Sequence, residues 1–316
     1  MMNRTAETLF WIGRYLERAE NHTRLIDVNY HMRDMLTDHE DVCKWERLIY
    51  SIGDIQLFKS HLDEATETNA LQFLMFDPKN ENSLSSCITQ ARNNLRTLRQ
   101  LLPSELWDQI NELYLWFNEQ DIRTVMIQSP YLFFQRTKEG FSLFNGTAES
   151  TMLRDHTWNF IQAGKYFERA ENVIRVVQNY LNFASCSKQN HYNQLIVLLK
   201  NAGGYEVFRK LYANNVSFDS VIEFLMTHPS FPHSVKFSFS AMEFYLNNIK
   251  HQDYQFQILA DKVIDFVAEM KSIFTNLQYD HDFSVLFDLT NKMLEDTNRL
   301  GLDISKTFFQ EEYATV

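Results

Sequence analysis

The stretch Gly13-Arg14-Tyr15-Leu16-Glu17-Arg18-Ala19-Glu20-Asn21 returns as Gly164-Lys165-Tyr166-Phe167-Glu168-Arg169-Ala170-Glu171-Asn172, 151 positions further along the chain. Arg24 and Arg175 follow at matching places. So do Gly53 and Gly204, Phe73-Leu74-Met75 and Phe224-Leu225-Met226, Pro78 and Pro229, and Ser83 and Ser234. No net gap accumulates between Gly13 and Ser83, so duplication explains the match better than a chance pentapeptide. The 316-residue chain reads as all-α: a tandemly duplicated helical bundle with a pseudo-twofold internal repeat. Residues 1–150 make the first repeat. Residues 151–316 make the second, with a C-terminal helix and tail, and together they form one domain overall.

Working outward from the motif, residues 5–35 read as one helix, because Trp11, Ile12, Tyr15, Leu16, Ala19, Thr23, Ile26 and Tyr30 recur at steps of three and four. A break begins at residues 38–41. Further helices are expected over 42–51, 55–65 and 68–76, with Gly53 and Asp77-Pro78 as stops. Asn82 or Ser83 caps a helix running to Leu101, and Ser104 caps the next, over 106–117, with Trp107, Ile110, Leu113, Tyr114 and Phe117 as its apolar positions. Residues 122–144 read as helical on either side of Pro130, and 145–150 as the polar connector between repeats. The second copy opens with a helix over 157–183, capped from among Thr147, Thr151, Arg154 and Asp155. A last helix spans 282–300 and a tail 301–316.

Composition bounds the function. Hydrophobic residues make up 45% and aromatics 14%, enough for a sizeable core, while 8 Gly and 5 Pro are too few for a turn-rich β protein. The net charge of −11 disfavours nucleic acid and anionic membrane as partners. Three separated cysteines without a CxxC pair fit a reducing compartment, and no stretch approaches the apolar length of a membrane span. These features lead us to expect a cytoplasmic protein with no membrane association.

The chemistry sits on the motif helices. At about 100° per residue, Arg14, Glu17, Asn21 and Arg24 share the face opposite the apolar stripe, as do Lys165, Glu168, Asn172 and Arg175. Arg18 and Arg169 lie at the stripe's edge, and Glu20 and Glu171 sit four residues before the motif's last arginine. Apolar positions kept only their character between copies, whereas the polar ones kept their identity. Two readings fit. In one, these groups pair with each other as a buried clasp. In the other they line a cleft, where arginine and lysine take a carboxylate or phosphate and Glu17 or Glu168 acts as general base. Gly13 and Gly164 favour close helix approach under both.

A second cluster, Arg92, Asn94 and Arg96 with Arg99, places three arginines on one face. Like charges so spaced repel unless an acidic group meets them, with Glu17 and Glu20 as candidates, or an anionic ligand. The matching second-copy positions are Glu243, Tyr245 and Asn247, so the cluster belongs to one half. Tyr131 to Phe134, with Phe141 and Phe144, are assigned to the core. The Glu-x-x-His pairs of a di-iron bundle are absent, as are nucleotide and hydrolase fingerprints, so neither metal nor cofactor is expected.

The opening residues, Arg4-Thr5-Ala6-Glu7-Thr8-Leu9-Phe10-Trp11-Ile12 and the motif that follows, resemble the start of the bacterial alpha-E domain family. The resemblance continues through Asp77-Pro78, Asn82-Ser83, residues 91–99 and 107–111, Thr151-Met152, residues 158–172, Gly204-Tyr205 and residues 224–234. It departs at Asn93, where the family usually has Glu, and at His233, where it often has Arg. The resemblance implies an all-helical protein of a kind typically encoded beside, or fused to, a circularly permuted ATP-grasp ligase and a transglutaminase-like protein, which are its expected partners in making or processing a peptide or small amide. It supplies no reaction. It leaves three roles open: an accessory or ligand-binding component holding a small anionic or peptide ligand, an enzyme with a Glu base and an Arg anion site, and a partner-binding scaffold.

Overall fold

The computed structural model describes residues 2–32, 41–62, 64–184, 191–213, 215–249, 254–273 and 283–309. The break expected at 38–41 falls largely outside them, as do residues 310–316 of the expected tail. Among the described residues the chain is all-helical: α1 (Met2–His31), α2 (Asp41–Ile52), α3 (Ile55–His61), α4 (Glu67–Met75), α5 (Leu84–Thr97), α6 (Ser104–Asn118), α7 (Ile122–Gln128), α8 (Pro130–Thr151), α9 (His156–Ala184), α10 (His191–Asn201), α11 (Tyr205–Tyr212), α12 (Phe218–Thr227), α13 (Val235–Asn247), α14 (Tyr254–Ile273) and α15 (Phe283–Ile304), closed by a π-helical turn at Ser305–Phe309. None of these helices is long and apolar enough to cross a membrane.

The chain divides into two compact units. One comprises Met1–Arg14 and Leu153–Val316, the other Tyr15–Met152. In the first, α9 packs against α13 and α15, and α14 closes on both of those. Its core includes Phe167, Ile174, Phe224, Phe239, Met242 and Leu300. In the second, α6 lies between α5 and α8, and α4 contacts α2, α5 and α7. There the largest buried side chains include Trp45, Phe58, Phe73, Phe117, Phe134 and Phe141. The centres of α1 and α9 are buried on nearly every side. A helix in that position must satisfy its polar side chains within the protein.

Side-chain caps explain most helix starts. Asp54, Thr66, Ser83, Asp121, Ser129, Ser217 and Ser234 each accept a hydrogen bond from a first-turn N–H of the helix that follows. Ser83 takes this role rather than Asn82, accepting from Ser86 N at 3.1 Å while fully buried. Ser83→Ala should lower stability by about 1 kcal/mol, read as a shifted urea midpoint at unchanged slope. Asp155 caps α9, accepting from Thr157 N and Trp158 N.

Several boundaries differ from the sequence expectation. α3 ends at His61, where Leu62 turns extended, rather than at Ala65. α5 ends at Thr97, not Leu101, which puts Arg99 in the turn beyond it. Ser104 is the first residue of α6 and not its cap, since Pro103 holds that position without a side-chain bond. The connector expected at 145–150 is helical and belongs to α8. Phe144 and Ala148 are buried one turn apart, and the Ser150 and Thr151 hydroxyls donate back to the carbonyls of Gly146 and Thr147. The tail expected from Gly301 is also helical as far as it is described. Gly301 packs closely within it, because a Cβ there would meet the Phe167 ring at 3.1 Å. Beyond it, Phe308 is buried edge-on against Phe160. Of the aromatic stretch on α8, Phe133, Phe134, Phe141 and Phe144 are core, whereas Tyr131 and Leu132 are exposed.

Candidate functional site

Two glycines set the geometry of the motif in the first unit. A Cβ on Gly164 would lie 2.0 Å from the Phe10 carbonyl oxygen, and one on Gly13 would lie 2.0 Å from that of Ile161. The backbones of α1 and α9 therefore touch, and the side chains beside the crossing are brought within reach of one another. Arg14 Nε donates to Glu168 Oε2 at 2.7 Å and its Nη2 to Glu171 Oε2 at 3.0 Å. Glu171 Oε1 accepts from Arg175 Nη2 at 2.5 Å. The Arg14 guanidinium carbon also sits 4.6 Å from the ring centroids of both Trp11 and Phe167. With side-chain exposures of 12% for Arg14 and 3% for Glu168, the pair is withdrawn from water. Arg169 is buried, 5.2 Å from the Tyr166 ring, and its Nη1 reaches the Pro232 carbonyl. Lys165 is half-buried.

In the second unit the same motif takes its partners from the turn before α5 and from α8. Arg18 Nη1 donates to Asn82 Oδ1 at 3.0 Å, and His22 Nδ1 is hydrogen-bonded to the Asn82 carbonyl at 2.9 Å. Glu20 Oε2 accepts from Asn145 Nδ2 at 3.1 Å. Arg24 Nη2 donates to Asn21 Oδ1 at 3.0 Å, and Glu17 is buried. One feature recurs at both motif asparagines. Asn21 and Asn172 are only 4% and 7% exposed, and each has a buried Nδ2 with no hydrogen-bond partner among the described residues. Arg24 holds the Asn21 amide in the orientation that leaves Nδ2 as the open donor.

The arginine cluster lies in the second unit, between α5 and α6. Arg92 Nε donates to Asn111 Oδ1 at 2.8 Å, and its guanidinium carbon lies 4.4 Å from the Tyr114 centroid and 5.1 Å from that of Trp107. Arg99 stacks on Trp107 at 4.8 Å. Arg96 is exposed, and Asn94 is half-buried. Among the described residues no carboxylate forms an ion pair with any of the three arginines, Glu17 and Glu20 included. At the matching positions of the first unit, Glu243 is paired with Lys271 at 2.5 Å, and Tyr245 is stacked on Tyr166 at 5.8 Å.

A family model described as a predicted alpha-helical domain with a conserved ER motif, named Alpha-E, matches residues 1–309. The chain belongs to the Alpha-E family. No curated protein and no solved structure matches it.

The Glu-Arg pairs of the repeated stretch are Glu17-Arg18 and Glu168-Arg169, with Glu17, Glu168 and Arg169 buried and Arg18 half-buried. Sequence reasoning placed Glu17 and Glu168 on a polar face opposite an apolar stripe, and Arg18 and Arg169 at the stripe's edge. It missed what meets the motif's side chains: Asn82 at Arg18, Asn145 at Glu20, Trp11 at Arg14 and the Pro232 carbonyl at Arg169. It also counted Trp107 and Tyr114 simply as apolar positions of their helix, although both are half-buried and cover Arg92. The spacing of Trp107, Asn111 and Tyr114, at i, i+4 and i+7, was the available signal, since it presents one stripe to the arginines of α5. Among the described residues no group of three or more His, Cys, Asp or Glu side chains is placed to hold a metal ion.

Proposed function

We propose that this Alpha-E chain is an accessory, ligand-binding component of an ATP-grasp-linked system that makes or processes a peptide or small amide. The carrying observation is the pair of buried, open amide donors at Asn21 and Asn172. A buried N–H without an acceptor costs about 1–3 kcal/mol, and two such groups at matching motif positions call for a common cause. The complementary chemistry is a carbonyl or carboxylate oxygen, which a peptide or amide ligand supplies. Around the Asn172 donor's motif, Arg14, Glu168, Glu171 and Arg175 form a frame whose charges meet each other. A general base at Glu168 would first have to leave Arg14, so the binding role is preferred over the catalytic one. The pathway assignment rests on the family resemblance, and a cytoplasmic location on the charge and cysteine usage.

We also propose that the two repeats, residues 1–150 and 151–316, descend from a tandem duplication. Supporting it are the matching order of α2–α6 and α10–α14, the 151-residue offset of the motif, and the caps Ser83 and Ser234.

The test does not require the ligand to be identified. Asn172→Leu is close in volume and removes only the polar amide, so the free protein should keep its urea stability or gain up to about 1 kcal/mol. A loss of more than about 1 kcal/mol would mean that the amide is already satisfied by a resident partner, and the binding reading would fail. Co-purification with a permuted ATP-grasp ligase at fixed ratio, without turnover by this chain, would support the accessory role. A product that requires this chain in substoichiometric amount would replace it with the enzyme reading.

A further inference from the structure

The arginine cluster between α5 and α6 goes beyond that reading and stands on different observations. Two of its cations, Arg92 and Arg99, are held by aromatic rings rather than by carboxylates, and Arg96 is exposed beside them. Glu105, Asp108 and Glu112 on α6 form no ion pair with Arg92, Arg96 or Arg99. Repulsion at this spacing is a few tenths of a kcal/mol per pair, and each ring contact contributes about 0.5–1 kcal/mol, so the cluster persists without neutralisation. Three positive charges without a paired carboxylate among the described residues therefore stand on a chain of net charge −11.

The geometry also says what such a cluster can take. A guanidinium stacked on a ring keeps its N–H edge free, and Arg92 uses only Nε, on Asn111. Its Nη groups and those of Arg99 remain for a carboxylate in a two-point fork. Both guanidinium carbons lie within 5.1 Å of the Trp107 centroid, which keeps them within about 10 Å of each other. Side chains at alternate positions of an extended peptide project to the same side about 7 Å apart, which fits that range and gives each arginine its own carboxylate. A long polyanion or an anionic bilayer would meet the acidic remainder of the protein, whereas a short segment would not.

We propose that Arg92, Arg96 and Arg99, backed by Trp107 and Tyr114, form a docking surface for a short acidic segment of a partner protein, with Glu or Asp at alternate positions. The experiment is fluorescence anisotropy on the full chain, with a labelled Ser-Glu-Ser-Glu-Ser-Glu peptide and its Gln counterpart as probes. The Glu peptide should bind and the Gln peptide should not. Affinity should fall at least about tenfold between roughly 50 and 300 mM NaCl, as screening shortens. The Arg92→Ala/Arg99→Ala double variant should lose at least about tenfold. Arg96→Ala, at an exposed position, should lose about threefold without a change in melting temperature. Arg136→Ala, which removes a guanidinium stacked on Trp116 elsewhere in the same unit, should bind as the parent does. Three results would each overturn the proposal: equal binding of the two peptides, an equal loss in Arg136→Ala, or tighter binding of inorganic triphosphate than of the Glu peptide. No ligase enters the assay, so its outcome is independent of the pathway reading.

Discussion

Gly164→Ala should destabilise the protein by at least about 3 kcal/mol, and Gly13→Ala should do the same, at the upper end of overpacking effects. Helix propensity predicts the opposite sign, because Ala is favoured over Gly in a helix interior by about 1 kcal/mol. The crossing of α1 and α9 reverses it. The new methyl carbon would sit 2.0 Å from a backbone carbonyl oxygen in either variant. A backbone cannot swing aside as a side-chain tip can, so the helices must move apart. That separation would pull Arg14 from Glu168 as well. Gly146 supplies the matched control. It lies within α8, is exposed, and nothing stands within 4 Å of a Cβ placed there. Gly146→Ala should therefore stabilise by up to about 1 kcal/mol. Urea unfolding of the three variants measures the contrast. Similar small gains in all of them would mean that α1 and α9 do not approach as described.

Arg14→Met should cost about 3–5 kcal/mol, because it strips a guanidinium from buried Glu168 and from Glu171 while keeping most of the side-chain volume. Glu168→Leu alone should cost a comparable amount, by leaving Arg14 with one carboxylate between two rings. The double variant Arg14→Met/Glu168→Leu should recover part of the loss, since a buried ion pair replaced by apolar groups of similar size is often nearly neutral. The coupling measured by the cycle should reach about 1–3 kcal/mol. Additive single losses would show that the pair is not a mutual clasp and would make Arg14 a ligand contact again.

The helical class, the motif helices and a few caps were legible in the sequence, because periodicity and N-cap chemistry are local. Ser83 and Ser234 announced their helices by residue type and position. The errors came where a local signal had a non-local cause. Residues from Gly301 on were expected as a tail, yet the helix continues and the missing side chain of Gly301 makes room for the Phe167 ring. Residues 145–150 looked like a connector because they are small and polar, yet the buried Phe144 and Ala148 hold them in α8. The same limit applied to the candidate site. Shared faces were readable from spacing, but which faces were buried was not.

The chain's own sequence determined that it would be helical, that one motif would appear twice at a constant offset, and that both copies would carry the same charged and amide groups. Tertiary structure alone decided what those groups do. Because α1 and α9 touch at two glycines, Arg14 is held by Glu168 and Glu171. Because α1 and α9 are buried on almost all sides, Asn21 and Asn172 each keep a buried, open donor. Because α6 turns Trp107 and Tyr114 toward α5, Arg92 and Arg99 are held by rings rather than by carboxylates. Each outcome depends on residues far apart in the chain, whose meeting no local pattern specifies.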